Sequence, residues 1–212
     1  MNFLAHLLLS GNSDGVVMGN FVGDFIKGRL SDEKTTNWNP DYVVGLKLHR
    51  FIDSFTDAHA VVREAKKMAA RDYGKLSGII VDIYFDYFLA KYFADFCTES
   101  LWEYSHRMYS VIERNDYLVP ETMIPMARAM IRQDWLNSYD TFEGIALTFH
   151  RMSRRTGFME PIYTAADELR NNEMFYDEKF KTFFPELRHA STGFILEHAV
   201  SGSGEGKDIF KN

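Results

Sequence analysis

An all-α fold is predicted by three observations. Apolar residues recur at helical spacing in nearly every segment. Alternating apolar and polar runs bounded by turn residues are scarce, and only 5 prolines interrupt the 212 residues. That length fits one domain and buries a substantial core. We place a single helical domain at residues 1–200 and a flexible tail at 201–212, where SGSGEGKDIFKN is rich in Gly and Ser. An aromatic share of 15%, with 18 Phe and 11 Tyr, points to a core built largely of rings.

The elements follow in order. Residues 2–9 form a short apolar helix closed by the turn SGNSDG, and residues 16–27 form a second, ended by Gly28. The polar stretch 30–39 is a surface loop, after which Pro40 suits the first turn of the helix carrying GLKLHRFIDSFTD at 45–57. A mixed-charge helix spans 61–71 and breaks at Gly74. Residues 76–96 are apolar all round, which predicts a central, buried helix. Asp82, Asp86, Lys91 and Asp95 make it too charged for a membrane span. Further helices are predicted at 101–114, 121–138, 142–155, 164–170 and 177–199, with Pro120, Gly157 and Pro185 as punctuation.

Composition excludes several function classes. A net charge of -6 opposes broad nucleic-acid binding, which needs clustered Lys and Arg. Cys97 is the single cysteine, so no internal disulfide forms and a reducing, cytoplasmic setting is expected. The opening MNFLAHLLLSG lacks a basic leader and is too short to cross a bilayer, so no membrane partner is expected.

The informative residues are ionisable groups embedded in apolar runs: His6, Asp24, His49, Asp53, Asp82 and Asp86. His49 with Asp53, and Asp82 with Asp86, stand four apart and so share a helix face. Carboxylates are almost never fully buried without partners. A divalent cation would relieve their mutual repulsion, and imidazole with carboxylate suits Mn, Fe or Zn. Each residue also has a plainer reading. A histidine on an apolar face is commonly a hydrogen-bonded core residue, Asp24 accepts from the turn before its helix, and Asp53 pairs with Arg50 or Arg63. Asp57 caps the next helix, and Asp82 and Asp86 pair with basic neighbours. Spacing alone leaves both readings open.

Several blocks of the chain resemble the acyl carrier protein phosphodiesterase family, also called acyl carrier protein hydrolase. They are MNFLAHL at 1–7, GNFVGDFIKG at 19–28, GLKLHRFIDSFTD at 45–57, VREA at 62–65 and VDIYFDYFLA at 81–90, with a weaker match in QDWLNSYDTFEGI and RMSRR. Tyr87 departs from the pattern, which often has His after the second Asp of the long helix. The resemblance implies an architecture similar to HD-type metal phosphohydrolases, a divalent ion with Mn the usual one and Fe, Mg or Zn the alternatives, and hydrolysis of the phosphodiester joining 4′-phosphopantetheine to a serine of acyl carrier protein. His6, Asp24, His49, Asp53, Asp82 and Asp86 match the family's polar motif residues.

From these we expect Asp24, His49, Asp53 and Asp82 as metal ligands, with His6 and Asp86 as further ligands or as general base and acid. Arg50 is expected to stabilise charge on the phosphate, its plainer role being an ion pair with Asp53 or Asp57. An acidic carrier protein calls for a basic docking surface, for which Arg128, Arg132, Arg151, Arg154 and Arg155 are the candidates, a solvated helix face being the plainer reading. Two rival functions remain: hydrolysis of another phosphodiester, such as a nucleotide or coenzyme A fragment, and a non-catalytic helical module that binds an acidic partner.

Overall fold

In the computed structural model, which describes residues 1–198, the motif GLKLHRFIDSFTD lies in the helix Pro40–Ala58. The Asn39 side chain accepts from the Asp41 and Tyr42 backbone N–H groups, and Pro40 takes the first turn, where no N–H is needed. In chain order the helices are α1 (Phe3–Leu8), α2 (Asp14–Phe21), the single turn α3 (Asp32–Thr35), α4 (Pro40–Ala58), α5 (Ala60–Tyr73), α6 (Ser77–Lys91), the turn α7 (Phe93–Phe96), α8 (Leu101–Arg114), α9 (Ile124–Arg132), the turn α10 (Trp135–Ser138), α11 (Phe142–Ser153), α12 (Ala165–Asn171) and α13 (Glu173–His198). No strand occurs among the described residues, and the all-α class holds. The expected tail at 201–212 lies outside them.

Helix α6 is central, as its all-round hydrophobicity predicts: Ile80, Val81 and everything from Ile83 to Ala90 is buried. Helices α1, α5 and α13 pack on it. Phe85 and Phe88 of α6 meet Phe180 of α13, which stacks on Phe184. These ring contacts account for the aromatic-rich composition. One continuous apolar cluster runs from Met1 to Leu187.

Helices α2 and α4 share the most extensive contact among the described elements. A Cβ on Gly19 would lie 2.1 Å from the Tyr42 carbonyl oxygen, and one on Gly45 2.2 Å from that of Val16. Only glycine at both crossings lets the backbones meet.

Three expected helices end differently. The 16–27 segment stops at Phe21 and continues as a 3₁₀ turn, Gly23–Phe25. The 76–96 segment breaks at Tyr92 between α6 and α7. The 121–138 segment divides where Asp134 adopts a left-handed conformation, φ 47°, outside helical geometry. Pro185 does not punctuate: α13 runs through it, held by the buried neighbours Phe183, Phe184 and Leu187. The 30–39 loop contains only the α3 turn.

Candidate metal centre

Three segments converge on one point. Helix α1 brings His6, the Gly23–Phe25 turn brings Asp24, and α4 brings His49 and Asp53 on one face. His49 Nε2 lies 3.2 Å from Asp53 Oδ2 and 3.4 Å from Asp24 Oδ1, while His6 Nε2 lies 3.4 Å from Asp53 Oδ1. The two imidazoles stack with centroids 4.2 Å apart. His6, His49 and Asp53 form a group able to hold a metal ion.

Asn20 orients both rings. Its Nδ2 donates to the His6 carbonyl at 2.7 Å and to Ser10 Oγ at 2.8 Å, which settles that its Oδ1 faces His6 Nδ1, also at 2.7 Å. Ser10 Oγ in turn donates to the His6 carbonyl. Oδ1 only accepts, so His6 Nδ1 carries a proton. The Asn20 backbone carbonyl accepts in the same way from His49 Nδ1 at 2.8 Å. Both Nε2 atoms are thereby turned toward the carboxylates, the arrangement by which outer partners set metal-binding histidines.

A cation fits this donor set. His49 Nε2 is buried and lacks a hydrogen-bond partner among the described residues, although two carboxylates stand beside it. Two atoms each about 2.1 Å from one ion are separated by about 3.0–3.5 Å at octahedral to tetrahedral angles. The observed spacings lie in that range. A hollow of about 20 Å³ opens beside His6, His49 and Asp24, large enough for a water-sized guest.

Electrostatics carry the same demand for positive charge. Burial opposes charging of His49, but Asp24 and Asp53 outweigh it and push its pKa up to about 9. Burial lowers that of His6, against the opposing pull of Asp53. The Asp53 carboxyl is held well below the usual carboxylate range: burial works against ionisation, and the two histidines overcome it. Asp24 is lowered chiefly by His49. Gly23 makes room for the contact, since a Cβ there would lie 2.2 Å from His49 Cγ.

The remaining candidates make other contacts. Asp82 Oδ1 pairs with the Met1 amino group at 3.1 Å. Asp86 is fully buried and accepts from the N–H groups of Leu4 at 2.8 Å and Ala5 at 3.3 Å, satisfying the open end of α1. Burial raises its pKa to about 7 against those two donors. Arg50 donates to the Ile26 and Gly28 carbonyls at 3.3 and 2.6 Å, tying down the chain just after Asp24. Asp57 pairs with Lys66 rather than capping α5. Tyr87 hydroxyl donates to Glu173.

The arginines divide among different hollows. Arg151 and Arg155 line a cleft of about 450 Å³ that shares Met1, Asn2, Phe3 and Asp24 with the small hollow at the histidines. Arg154 lines an open depression with His150 and Tyr163, and Arg128 a groove with Glu113 and Asp116. Arg132 is exposed at the end of α9. Asn20 is the residue that sequence reasoning missed. Its signal was an amide inside an apolar helix, which needs several partners once buried.

Comparison with known proteins agrees with these motifs. The family model described as acyl carrier protein phosphodiesterase matches residues 1–187. A protein of that name from Photorhabdus laumondii is 30% identical over 188 residues, covering 88% of this chain and 93% of its own. Namesakes from Pectobacterium atrosepticum and Salmonella agona are each 27% identical, covering 88% of this chain and 95% of theirs. No solved structure matches the chain. No helix among the described residues is long and apolar enough to cross a membrane. From the first residue to Leu187 the chain carries the family's pattern, and it belongs to the acyl carrier protein phosphodiesterase family.

Proposed function

We propose that this chain is a divalent-metal-dependent phosphodiesterase that releases 4′-phosphopantetheine from the serine of a holo-acyl carrier protein. The observation that carries the metal reading is the orphaned His49 Nε2, buried between Asp24 and Asp53 and facing the same point as His6. His6, His49 and Asp53 would hold the ion, with Asp24, beside His49 Nε2, as a further ligand. Their mixed nitrogen and oxygen donors suit Mn or Fe, with Zn and Mg as alternatives. When bound, such an ion polarises a phosphoryl oxygen and lowers the pKa of a water molecule.

The chain's own residues supply the rest. Asn20 holds both imidazoles with Nε2 toward the ion. Asp24, whose side chain is 72% exposed, meets the substrate side of the site. Asp86 and Arg50 act by position, one seating α1 and the other the Asp24 turn. Hydrolysis adds the hydroxyl of water to phosphorus and a proton to the serine oxygen, leaving apo-carrier and the phosphorylated arm. The acidic carrier docks on the arginine-bearing C-terminal half, with Arg154 outside the cleft as a contact.

Intact-mass spectrometry tests this directly. Holo-carrier incubated with the protein and Mn should lose the mass of phosphopantetheine. Asp24→Ala and His49→Ala should abolish that loss while helical circular dichroism persists. Full activity in either folded variant would refute the assignment.

A further inference from the structure

The 450 Å³ cleft lies within the size range of small-ligand sites, about 300–1,000 Å³. Beyond Met1–Phe3 and the segment around Asp24, its walls come from parts of the chain that contribute nothing to the metal cluster. Ile79 and Ile83 of α6, Met126 of α9, Trp135 of α10 and Met152 of α11 make one side apolar. Ile79 is 41% exposed, a large aliphatic side chain left in contact with solvent. Three cations share the cleft: Lys27, Arg151 and Arg155. Arg151 lies over the Trp135 ring, 5.7 Å from its centroid, which leaves its guanidinium pre-placed at an aromatic wall. Of the two acids in the lining, Asp82 is neutralised by the Met1 amino group and Asp24 belongs to the metal cluster.

A phosphate ester with a long, uncharged organic arm complements such a lining. Cations meet the anionic end, and methionine and tryptophan surfaces accept a flexible chain of mixed polarity. The shared residues Met1, Asn2, Phe3 and Asp24 make the cleft continuous with the hollow at His6 and His49. A phosphorus atom at Asp24 therefore has its arm beside it.

We infer that this cleft is the seat of the substrate's prosthetic arm: Arg151, Arg155 and Lys27 grip the phosphate, and Ile79, Met126, Trp135 and Met152 hold the pantetheine chain. The inference rests on the phosphodiesterase reading for the identity of the arm. It adds the residues that select the arm, none of which is a metal ligand.

Calorimetric binding of two probes to the metal-free protein tests it apart from turnover. 4′-Phosphopantetheine should bind the natural chain, and pantetheine, lacking phosphate, more weakly. Ile79→Trp fills the cleft from a partly exposed position and should weaken both probes about tenfold or more. Arg155→Gln, at an exposed position, should weaken the phosphorylated probe by about tenfold and leave pantetheine unchanged. Mn affinity should be the same in both variants. Undiminished binding of either probe to Ile79→Trp, or preference for adenosine monophosphate over phosphopantetheine, would overturn the assignment. Failure of the phosphodiesterase reading shows elsewhere, as holo-carrier of unchanged mass after incubation with the natural chain and Mn.

Discussion

His6 and His49 stack face to face with centroids 4.2 Å apart, and each Nδ1 is held by a different oxygen of Asn20. Replacing Asn20 thus reaches both rings unequally. Asn20→Ala keeps the backbone carbonyl on His49 but frees His6 Nδ1 and removes the donor to Ser10 Oγ, which still donates to the His6 carbonyl. Mn affinity should fall about 10- to 100-fold. Stability should fall by about 1–3 kcal/mol for the polar groups left unpaired. Calorimetry and urea denaturation measure the two effects.

Metal uptake should depend steeply on pH. In the metal-free protein His49 holds a proton up to about pH 9, and an ion at Nε2 must displace it. Affinity should therefore rise about tenfold per pH unit from pH 7 toward 9. Titrations in buffers of differing ionisation enthalpy should register close to one proton released. For stability the sign follows from a pKa raised above the ordinary 6.5. The contribution of His49 to the metal-free protein is full below 6.5 and is lost as pH rises through 9. Melting temperatures of the chelator-treated protein should decline over that window from this group.

Asp86→Asn tests the seating of α1. The amide offers one acceptor oxygen where the carboxylate offers two to Leu4 and Ala5, so Mn affinity should fall through displaced His6. Burial raises the Asp86 pKa to about 7 from 3.8, so its stabilising contribution in the natural chain is full below 3.8 and is lost as pH rises through 7. The neutral variant has no such dependence. Its disadvantage relative to the natural chain should shrink as pH rises from 4 to 8, read from urea midpoints.

Gly23→Ala should disable the centre without unfolding the protein. The added methyl meets the His49 ring, so either the ring or the Asp24 turn must move. A loss of about tenfold or more in Mn affinity is expected, with the helical circular dichroism unchanged. Retained affinity would show that the turn yields freely.

Arg154→Glu examines carrier docking outside the cleft. The side chain is exposed and lines the depression with His150 and Tyr163. The Michaelis constant for holo-carrier should rise several-fold at low salt, with kcat little changed, and the difference should fade as salt screens the charge.

Much of this was legible from residue spacing. His49 and Asp53 share a face because four residues make about one helical turn, and that relation survives any packing. The central burial of α6 followed from its lack of a polar side. Spacing could not separate the two aspartate pairs, however. Asp82 and Asp86 repeat the interval of His49 and Asp53, yet their partners are the Met1 amino group and the first N–H groups of α1, remote in sequence. A carboxylate satisfied by backbone donors looks the same in sequence as one awaiting an ion. Asn20 was hidden for a similar reason, since its partners lie on other elements. The break at Asp134 depends on one left-handed residue inside a run whose periodicity continues past it.

The metal cluster is assembled from residues 6 to 53, whereas most of the cleft's apolar wall, Met1, Phe3 and Phe25 aside, comes from residues 79 to 152. Apart from Lys27, reactivity and substrate choice are thus encoded in separate stretches of chain that meet chiefly at Met1–Phe3 and Asp24. Substitutions in the later stretch can reshape what is accepted while the cation-binding apparatus stays as it is. Relatives that keep the first stretch and vary the second are where altered preferences should be sought.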